Sequence, residues 1–137
     1  MFIKIETTKT FTDITDKIEI PEGFNGIVNI FSRHTTAGIR LLENEKLLLA
    51  DYEGMLERFA PKNGFYAHNI IDARDVPPEE RINGHSHIRT LFFPTSETIP
   101  VRDGKLYIGK WQRLFLVELD PAREREIVIT FCSNNIK

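Results

Sequence analysis

Hydrophobic and polar positions alternate along several short stretches of the chain. Residues 2–10 mix β-branched and aromatic residues with polar ones, and residues 26–31 repeat this pattern after the turn at Pro21-Glu22-Gly23. Alternation with a period of two is typical of strands that bury one face. We therefore predict a strand in each of these two stretches.

One longer segment has helical periodicity instead. Between Asn44 and Ala60, apolar residues recur at spacings of three and four, and these are Leu48, Tyr52, Met55, Leu56 and Phe59. Asn44 can serve as the N-cap, and Pro61 cannot continue a helix. The segment predicts the one long helix of the chain.

A polar loop followed by short apolar runs makes up the second half of the chain. Residues 72–84 contain two consecutive prolines and close on Asn-Gly, which predicts a long surface loop with one helical turn at residues 79–82. The later runs are typical of strands and cover residues 86–93, 97–101, 105–108, 112–119 and 126–132. We predict an α+β fold in which one helix packs on a mostly antiparallel or mixed, barrel-like or curled sheet. No internal repeat or linker divides residues 1–137, so we expect a single domain.

Composition and charge narrow the range of partners. The chain is 41% hydrophobic and 28% charged, and its net charge of −2 includes no clustered excess of lysine and arginine for nucleic acid or acidic membranes. No apolar run at the N-terminus is long enough for a signal peptide or a membrane span, so we expect a cytoplasmic protein. Cys132 is the only cysteine, and its apolar surroundings predict a buried residue rather than a catalytic thiol.

The stretch NGHSH at residues 83–87 places two histidines one residue apart. On a strand, His85 and His87 would point to the same face, within reach of one metal ion. A zinc-type site needs at least one further ligand, and the only other histidines are His34 and His68, both at the ends of predicted elements. Spacing alone leaves two interpretations open, a metal site and a pair of solvent-facing histidines.

Polar residues farther along the chain offer other chemistry. Ser96 lies among hydroxyl residues that could bind a phosphate or cap a turn. Glu118 lies in an apolar strand, where a carboxylate needs a partner such as Arg123 or serves as a general acid or base. Arginine is also well suited to bind phosphate by two parallel hydrogen bonds, and Trp111 offers a ring for stacking.

Six short segments share their order and spacing with a known family. They are HTTAG (34–38), NGHSH (83–87), SETIPV (96–101), GKL (104–106), GKWQ (109–112) and ELDPAR (118–123). Together they resemble the YjbQ-like family, also called the secondary thiamine-phosphate synthase family. The resemblance implies a compact α+β subunit with a barrel-like sheet, assembled as a homotrimer, with the histidines in a pocket near a subunit boundary.

The resemblance also implies an activity. This is a weak thiamine-phosphate synthase reaction, as a main or a side activity, that joins an aminopyrimidine diphosphate to a thiazole phosphate and releases pyrophosphate. By position, the catalytic residues would be His34, His85, His87 and Glu118. The residues that bind the phosphorylated small molecule would be Asn83, Ser96, Trp111 and Arg123. Pyrophosphate chemistry would call for magnesium, whereas histidine ligands favour a zinc-class ion.

Two alternatives to the synthase remain open. In the first, His34, His85 and His87, with His68 as a further candidate ligand, hold a zinc-class ion whose bound water hydrolyses an unknown substrate, with Glu118 as general base. In the second, the protein is a non-enzymatic trimer that binds a small molecule or a metal.

Overall fold

The computed structural model describes residues 1–134. The strands are β1 (Phe2–Glu6), β2 (Phe11–Asp13), β3 (Gly26–Ser32), β4 (Ala37–Glu43), β5 (Ser96–Arg102), β6 (Lys105–Leu106), β7 (Gln112–Glu118) and β8 (Glu124–Ser133). The α-helices are α1 (Lys46–Phe59) and α2 (Gly84–Arg89), and 3-10 helices cover Thr15–Lys17, Ala67–Asn69, Ile71–Ala73 and Thr90–Phe92. None of the helices within residues 1–134 is both long and apolar enough to cross a membrane.

The strands form two antiparallel sheets. The larger sheet has the order β1-β8-β3-β5-β6, and the smaller sheet has the order β2-β7-β4. In the larger sheet, Ile30 of β3 lies opposite Ile129 of β8, and both side chains are buried. The two sheets and the helices confirm the predicted α+β class with a curled, antiparallel sheet.

Strand β7 is buried on both of its faces. Leu114 and Leu116 belong to the apolar core between the two sheets, whereas Phe115 and Val117 pack in a second core that includes Leu56 of α1. Because successive side chains of a strand point to opposite faces, a strand between two layers is apolar at every position. The larger sheet, the smaller sheet and α1 therefore form three successive layers.

A helix forms where the periodicity predicted one, but α1 is a short helix of 14 residues rather than the one long helix expected, and its cap differs. Glu45 rather than Asn44 is the N-cap, and its carboxylate accepts hydrogen bonds from the amides of Leu47 and Leu48. A negative charge at this end also interacts favourably with the helix dipole. The helix ends one residue before Ala60, in agreement with the expected stop at Pro61.

The strand predicted at residues 86–93 is wrong. This segment contains most of α2 and the 3-10 helix Thr90–Phe92, so residues 1–134 contain two α-helices rather than one. Its apolar residues recur at the helical spacings of three and four, and these are Ile88, Leu91 and Phe92.

Close packing at Gly84 explains why glycine is the first residue of α2. A Cβ atom on Gly84 would lie 2.5 Å from Cβ of Tyr66, and the Gly84 amide donates to Oδ1 of Asn69 at 2.9 Å. Only glycine lets the chain approach this closely. Asn83-Gly84 therefore leads into a helix that is anchored on a distant loop, and does not form a hairpin turn.

Two smaller expectations also fail. Residues 79–82 contain no helical turn. Cys132 is exposed, because the alternation that buries Ile127 and Ile129 in β8 places Cys132 on the outer face.

A buried ion pair connects the two sheets. Nε of Arg125 in β8 donates to Oε1 of Glu118 in β7 at 2.8 Å, and Nη2 of Arg125 contacts the other carboxylate oxygen. Thr7 donates to Oε1 of Glu118 at 2.7 Å, and Thr36 accepts from Nη2 of Arg125 at 2.9 Å. Glu118 and Arg125 are only 3% and 2% exposed, so each charge depends on the other.

Replacing Arg125 tests this dependence. Arg125→Met is expected to lower the free energy of unfolding by about 3–5 kcal/mol, because Glu118 would keep a buried charge without its partner. Arg33→Met is the matched control, since it removes the same group from an exposed pair with Glu126 and should cost about 1 kcal/mol or less. Urea unfolding followed by circular dichroism measures both losses. Equal losses in the two variants would contradict the expectation.

Candidate functional site

A cleft of about 590 Å³ lies beside the C-terminal end of β7. It is lined by residues 118–123, by residues 81–83 and His85, and by Thr10, Lys62 and Arg89. These residues come from separate parts of the chain, which the fold brings together around one opening. The volume is typical of a site for a small molecule.

Asp120 organises the polar wall of the cleft. Its Oδ2 accepts from Nη2 of Arg123 and from Nδ2 of Asn83, both at 2.8 Å, and its Oδ1 accepts from Oγ of Ser86 at 3.3 Å. A buried carboxylate needs such partners to remain charged. The bonds therefore hold the segment around α2 against the end of β7.

Three buried polar atoms of the cleft residues have no hydrogen-bond partner. They are Oδ1 of Asn83, Nδ1 of His85 and Nη1 of Arg123, and Oγ1 of Thr12 is the one other such side-chain atom within residues 1–134. Buried polar groups in folded proteins are nearly always hydrogen-bonded, so each exception needs an explanation. Three exceptions around one opening indicate a site that a ligand or water completes.

The lining of the cleft is rich in positive charge. It includes four cationic side chains, and these are Lys62, Arg81, Arg89 and Arg123. Of the two carboxylates in the lining, Glu118 is neutralised by Arg125. The other is Asp120, whose Oδ2 lies 2.8 Å from Nη2 of Arg123 and 3.9 Å from Nη1 of Arg81. Arg89 forms a salt bridge with Glu57 outside the lining, so Lys62 and Arg81 supply most of the remaining positive charge, which favours an anionic ligand.

His85 and His87 do not share a face. Residues two apart on an α-helix point about 200° away from each other, so the expectation of two ligands on one face of a strand is wrong. His87 lines a separate hollow of about 330 Å³ together with His34. The ring of His68 contacts that of His87, with 4.5 Å between the ring centroids.

The predicted three-histidine metal site does not form within one chain. Among residues 1–134, no three histidine, cysteine, aspartate or glutamate side chains are grouped so that they could hold a metal ion. Nε2 of His34 accepts from the amide of Glu126 at 2.9 Å, and both oxygens of Glu118 are bonded to Arg125. Within one chain, the described residues therefore do not by themselves supply three ligands for a zinc-class or a magnesium ion.

Two predicted binding residues lie away from the cleft. Ser96 begins β5, and Trp111 is an exposed residue that lines a third hollow with Arg113. The predicted residues that the structure does bring together in the cleft are Asn83, His85, Glu118 and Arg123.

The structure also corrects the predicted salt-bridge partner of Glu118 and adds two residues to the candidate site. Glu118 forms the salt bridge that its apolar strand predicts, but with Arg125 rather than Arg123. Asp120 and Ser86 were missed as site residues. Asp120 lies two residues beyond Glu118, the last residue of a buried strand, and Ser86 lies between the two histidines, so the sequence weakly indicated both site residues.

Three histidines have a pKa below the ordinary value for histidine, and these are His34, His85 and His87. Burial is the main cause in each case, because it disfavours the charged imidazolium. Nearby positive charge lowers the pKa further, from Arg125 at His34, from Arg89 at His85 and from His68 at His87. All three imidazoles are therefore mainly neutral at pH 7.

Stability is expected to fall as the solution is acidified from about pH 7.5 to about pH 5.5. A histidine whose pKa is lower in the folded chain takes up protons more readily after unfolding, so acid favours the unfolded state. His85→Gln removes one such group and should reduce this pH dependence, and His87→Gln should do the same. Urea midpoints measured across this range test the expectation, which an unchanged pH dependence in both variants would contradict.

Known proteins resemble this chain along its whole described length. A family profile described as UPF0047 protein YjbQ-like matches residues 1–134. A UPF0047 protein of Methanothermobacter thermautotrophicus is 42% identical over 106 residues, which are 77% of this chain and 68% of that protein. A UPF0047 protein of Archaeoglobus fulgidus is 30% identical over 132 residues, which are 94% of this chain and 98% of that protein.

Solved structures share the fold. A hypothetical protein from Aeropyrum pernix K1 superposes with a TM-score of 0.83 at 27% identity, over 98% of both chains. A YbjQ-like protein of unknown function from Sulfolobus solfataricus P2 gives a TM-score of 0.78 at 35% identity, over 94% of this chain and 92% of that one. The chain therefore belongs to the UPF0047 protein YjbQ-like family, as its six motif segments predicted.

Proposed function

We propose that the cleft binds a phosphorylated small molecule and that the protein is a transferase of the thiamine-phosphate synthase type. The main support for this proposal is the excess of positive charge around the cleft, together with the buried, unpartnered Nη1 atom of the partly exposed Arg123 side chain. Arginine and lysine are the side chains that bind phosphate groups most strongly. The family resemblance supplies the reaction, in which pyrophosphate is the leaving group.

The reaction exchanges one bond for another. The bond between the methylene carbon of the aminopyrimidine and the diphosphate oxygen breaks, and pyrophosphate leaves with the bonding electrons. The thiazole nitrogen then supplies its lone pair and forms the new carbon–nitrogen bond. Catalysis requires mainly that the departing pyrophosphate be held and its growing charge be stabilised, which is a task for fixed cationic side chains.

Side-chain cations are better placed than a metal ion for this task. The carboxylates of the cleft, Glu118 and Asp120, already bond to arginines, to amide groups and to hydroxyls. Lys62 and Arg81 are exposed at the rim, where a phosphorylated ligand enters. The alternative of a metal-dependent hydrolase has less support, because its histidine ligands lie in two different hollows.

Removing the rim charges tests the proposal. The double variant Lys62→Met/Arg81→Met is expected to bind pyrophosphate roughly tenfold more weakly at low ionic strength, because two attractive charges are lost. Isothermal titration calorimetry measures the affinity. The rate of pyrophosphate release from the two thiamine precursors should fall in the same variant.

A matched control has the same change in charge elsewhere. Arg102→Met/Lys105→Met removes two exposed cations from the turn between β5 and β6, away from the cleft, and should leave pyrophosphate binding unchanged. If both double variants lose affinity equally, the loss follows from the change in the protein's net charge and not from the cleft, and the proposed binding site is wrong. If the wild type neither binds pyrophosphate nor releases it from the precursors, the proposed function is wrong.

We also propose the homotrimer that the family resemblance implies. An apolar patch formed by Phe59, Ile88, Leu91 and Phe92 supports self-association. Leu91 is 77% exposed, and the rings of Phe59 and Phe92 pack edge to face with centroids 4.6 Å apart. Exposed apolar residues grouped in this way commonly mark a contact with another protein surface.

Light scattering tests this assembly. The wild type is expected to have three times the mass of the 15.9 kDa chain, and Leu91→Glu to have a lower mass, because a charge in the apolar patch opposes its burial. Leu47→Glu is the control, since Leu47 is an exposed leucine of α1 outside the patch. A monomeric wild type would rule out the homotrimer, and a trimeric Leu91→Glu variant would place the contact elsewhere.

A further inference from the structure

Each unpartnered atom of the cleft is either a hydrogen-bond donor or a hydrogen-bond acceptor, and Asn83 is the simplest case. Its Nδ2 donates to Oδ2 of Asp120 at 2.8 Å, and a carboxylate oxygen can only accept. The amide orientation is thereby fixed, and the oxygen Oδ1 is the atom left buried without a partner. Because an amide oxygen only accepts, Asn83 needs a donor from outside the protein.

The position of the proton on His85 follows from Ser86. Oγ of Ser86 lies 3.3 Å from Oδ1 of Asp120 and 3.3 Å from Nε2 of His85. The hydroxyl has one proton to donate, and the carboxylate of Asp120 takes it, since a carboxylate cannot donate in return. Ser86 must then accept from His85, so the imidazole proton is on Nε2.

His85 therefore holds a lone pair on Nδ1. Asn83 and His85 are 7% and 8% exposed, and no group of residues 1–134 forms a hydrogen bond with Oδ1 of Asn83 or Nδ1 of His85. Burial and the charge of Arg89 lower the pKa of His85, which keeps Nδ1 without a proton near neutral pH. The third unpartnered atom, Nη1 of Arg123, can only donate.

We propose that the cleft recognises two features of one ligand, an anionic group bound by Nη1 of Arg123 and amino or hydroxyl donors bound by Nδ1 of His85 and Oδ1 of Asn83. Ser86 is a positioning residue, because it acts through His85 by fixing the imidazole proton. The binding of an anionic group rests on the proposed function, whereas the assignment of His85 Nδ1 and Asn83 Oδ1 as hydrogen-bond acceptors does not.

The first experiment locates the proton on His85 without any ligand. Long-range 1H–15N spectra of the full 15N-labelled chain at pH 7.5 distinguish protonated from unprotonated imidazole nitrogens, and His85→Gln identifies the signals of His85. We expect a proton on Nε2 and none on Nδ1 in the wild type. In Ser86→Ala this preference should weaken, because Nε2 loses its acceptor. A proton on Nδ1 of wild-type His85 would overturn the inference.

The second experiment compares ligands that differ by one donor. The first pair is an aminopyrimidine methyl phosphate and the same phosphate without the amino group, and the second pair is ribose 5-phosphate and 2-deoxyribose 5-phosphate. In at least one pair, the compound with the additional donor should bind the wild type roughly fivefold to tenfold more tightly, as expected for one hydrogen bond. The pair that shows this preference identifies the donor as an amino or a hydroxyl group. In Ser86→Ala the preference should decrease.

The outcomes separate this inference from the proposed function. If the phosphates bind but neither pair shows a preference, the proposed function stands and the two-feature recognition is wrong. If no phosphate binds while Nδ1 of His85 carries no proton, the proposed binding of an anionic group is wrong, and so is the proposed function. Only the acceptor character of Nδ1 of His85 is then supported.

Discussion

The buried ion pair between Glu118 and Arg125 is the interaction on which both the layered fold and the cleft depend. It joins the end of β7 in the smaller sheet to β8 in the larger sheet. Asp120 follows Glu118 by two residues, and its amide donates to Oε2 of Glu118 at 3.4 Å. The ion pair therefore fixes the point at which β7 ends, and with it the position of the carboxylate that organises the cleft. A substitution in the core between the sheets would therefore shift Asp120 and the cleft residues that it binds.

The polar groups of the interior form one connected network that runs from the ion pair to the cleft. Thr36 accepts from Arg125 at 2.9 Å and from Arg123 at 3.2 Å, and Arg123 in turn binds Asp120. Thr36 bridges two arginines, but each of them is paired with a carboxylate, Arg125 with Glu118 and Arg123 with Asp120, which is the condition for burying these charges at tolerable cost. The network is fully bonded near Glu118 and incomplete at the cleft, where Asn83, His85 and Arg123 keep unused hydrogen-bonding atoms. The place where it is incomplete is the place where a ligand can contribute.

Local pattern predicted much of the fold but little of the cleft. The alternation of residues 26–31 and the periodicity of residues 44–60 identified β3 and α1, because burial of one face imposes those periods on the sequence. Helix α2 was predicted as a strand although Ile88, Leu91 and Phe92 recur at helical spacing, and the packing of Gly84 on Tyr66 is a contact that no local pattern records. The family resemblance named Asn83, His85 and Arg123 but not how they combine. Their combination depends on Asp120 and Ser86, whose partners are distant in sequence.

The helical geometry of residues 84–89 gives the two histidines of the HSH motif separate surroundings. His85 bonds to the network of the cleft through Ser86, whereas His87 packs on His68 beside the hollow of His34. A sequence alignment would present the two positions as one motif, yet the constraints on them come from different neighbours. Substituting both at once would mix two unrelated defects in a single phenotype. Genetic dissection of this motif therefore needs the two single replacements, each interpreted against its own surroundings.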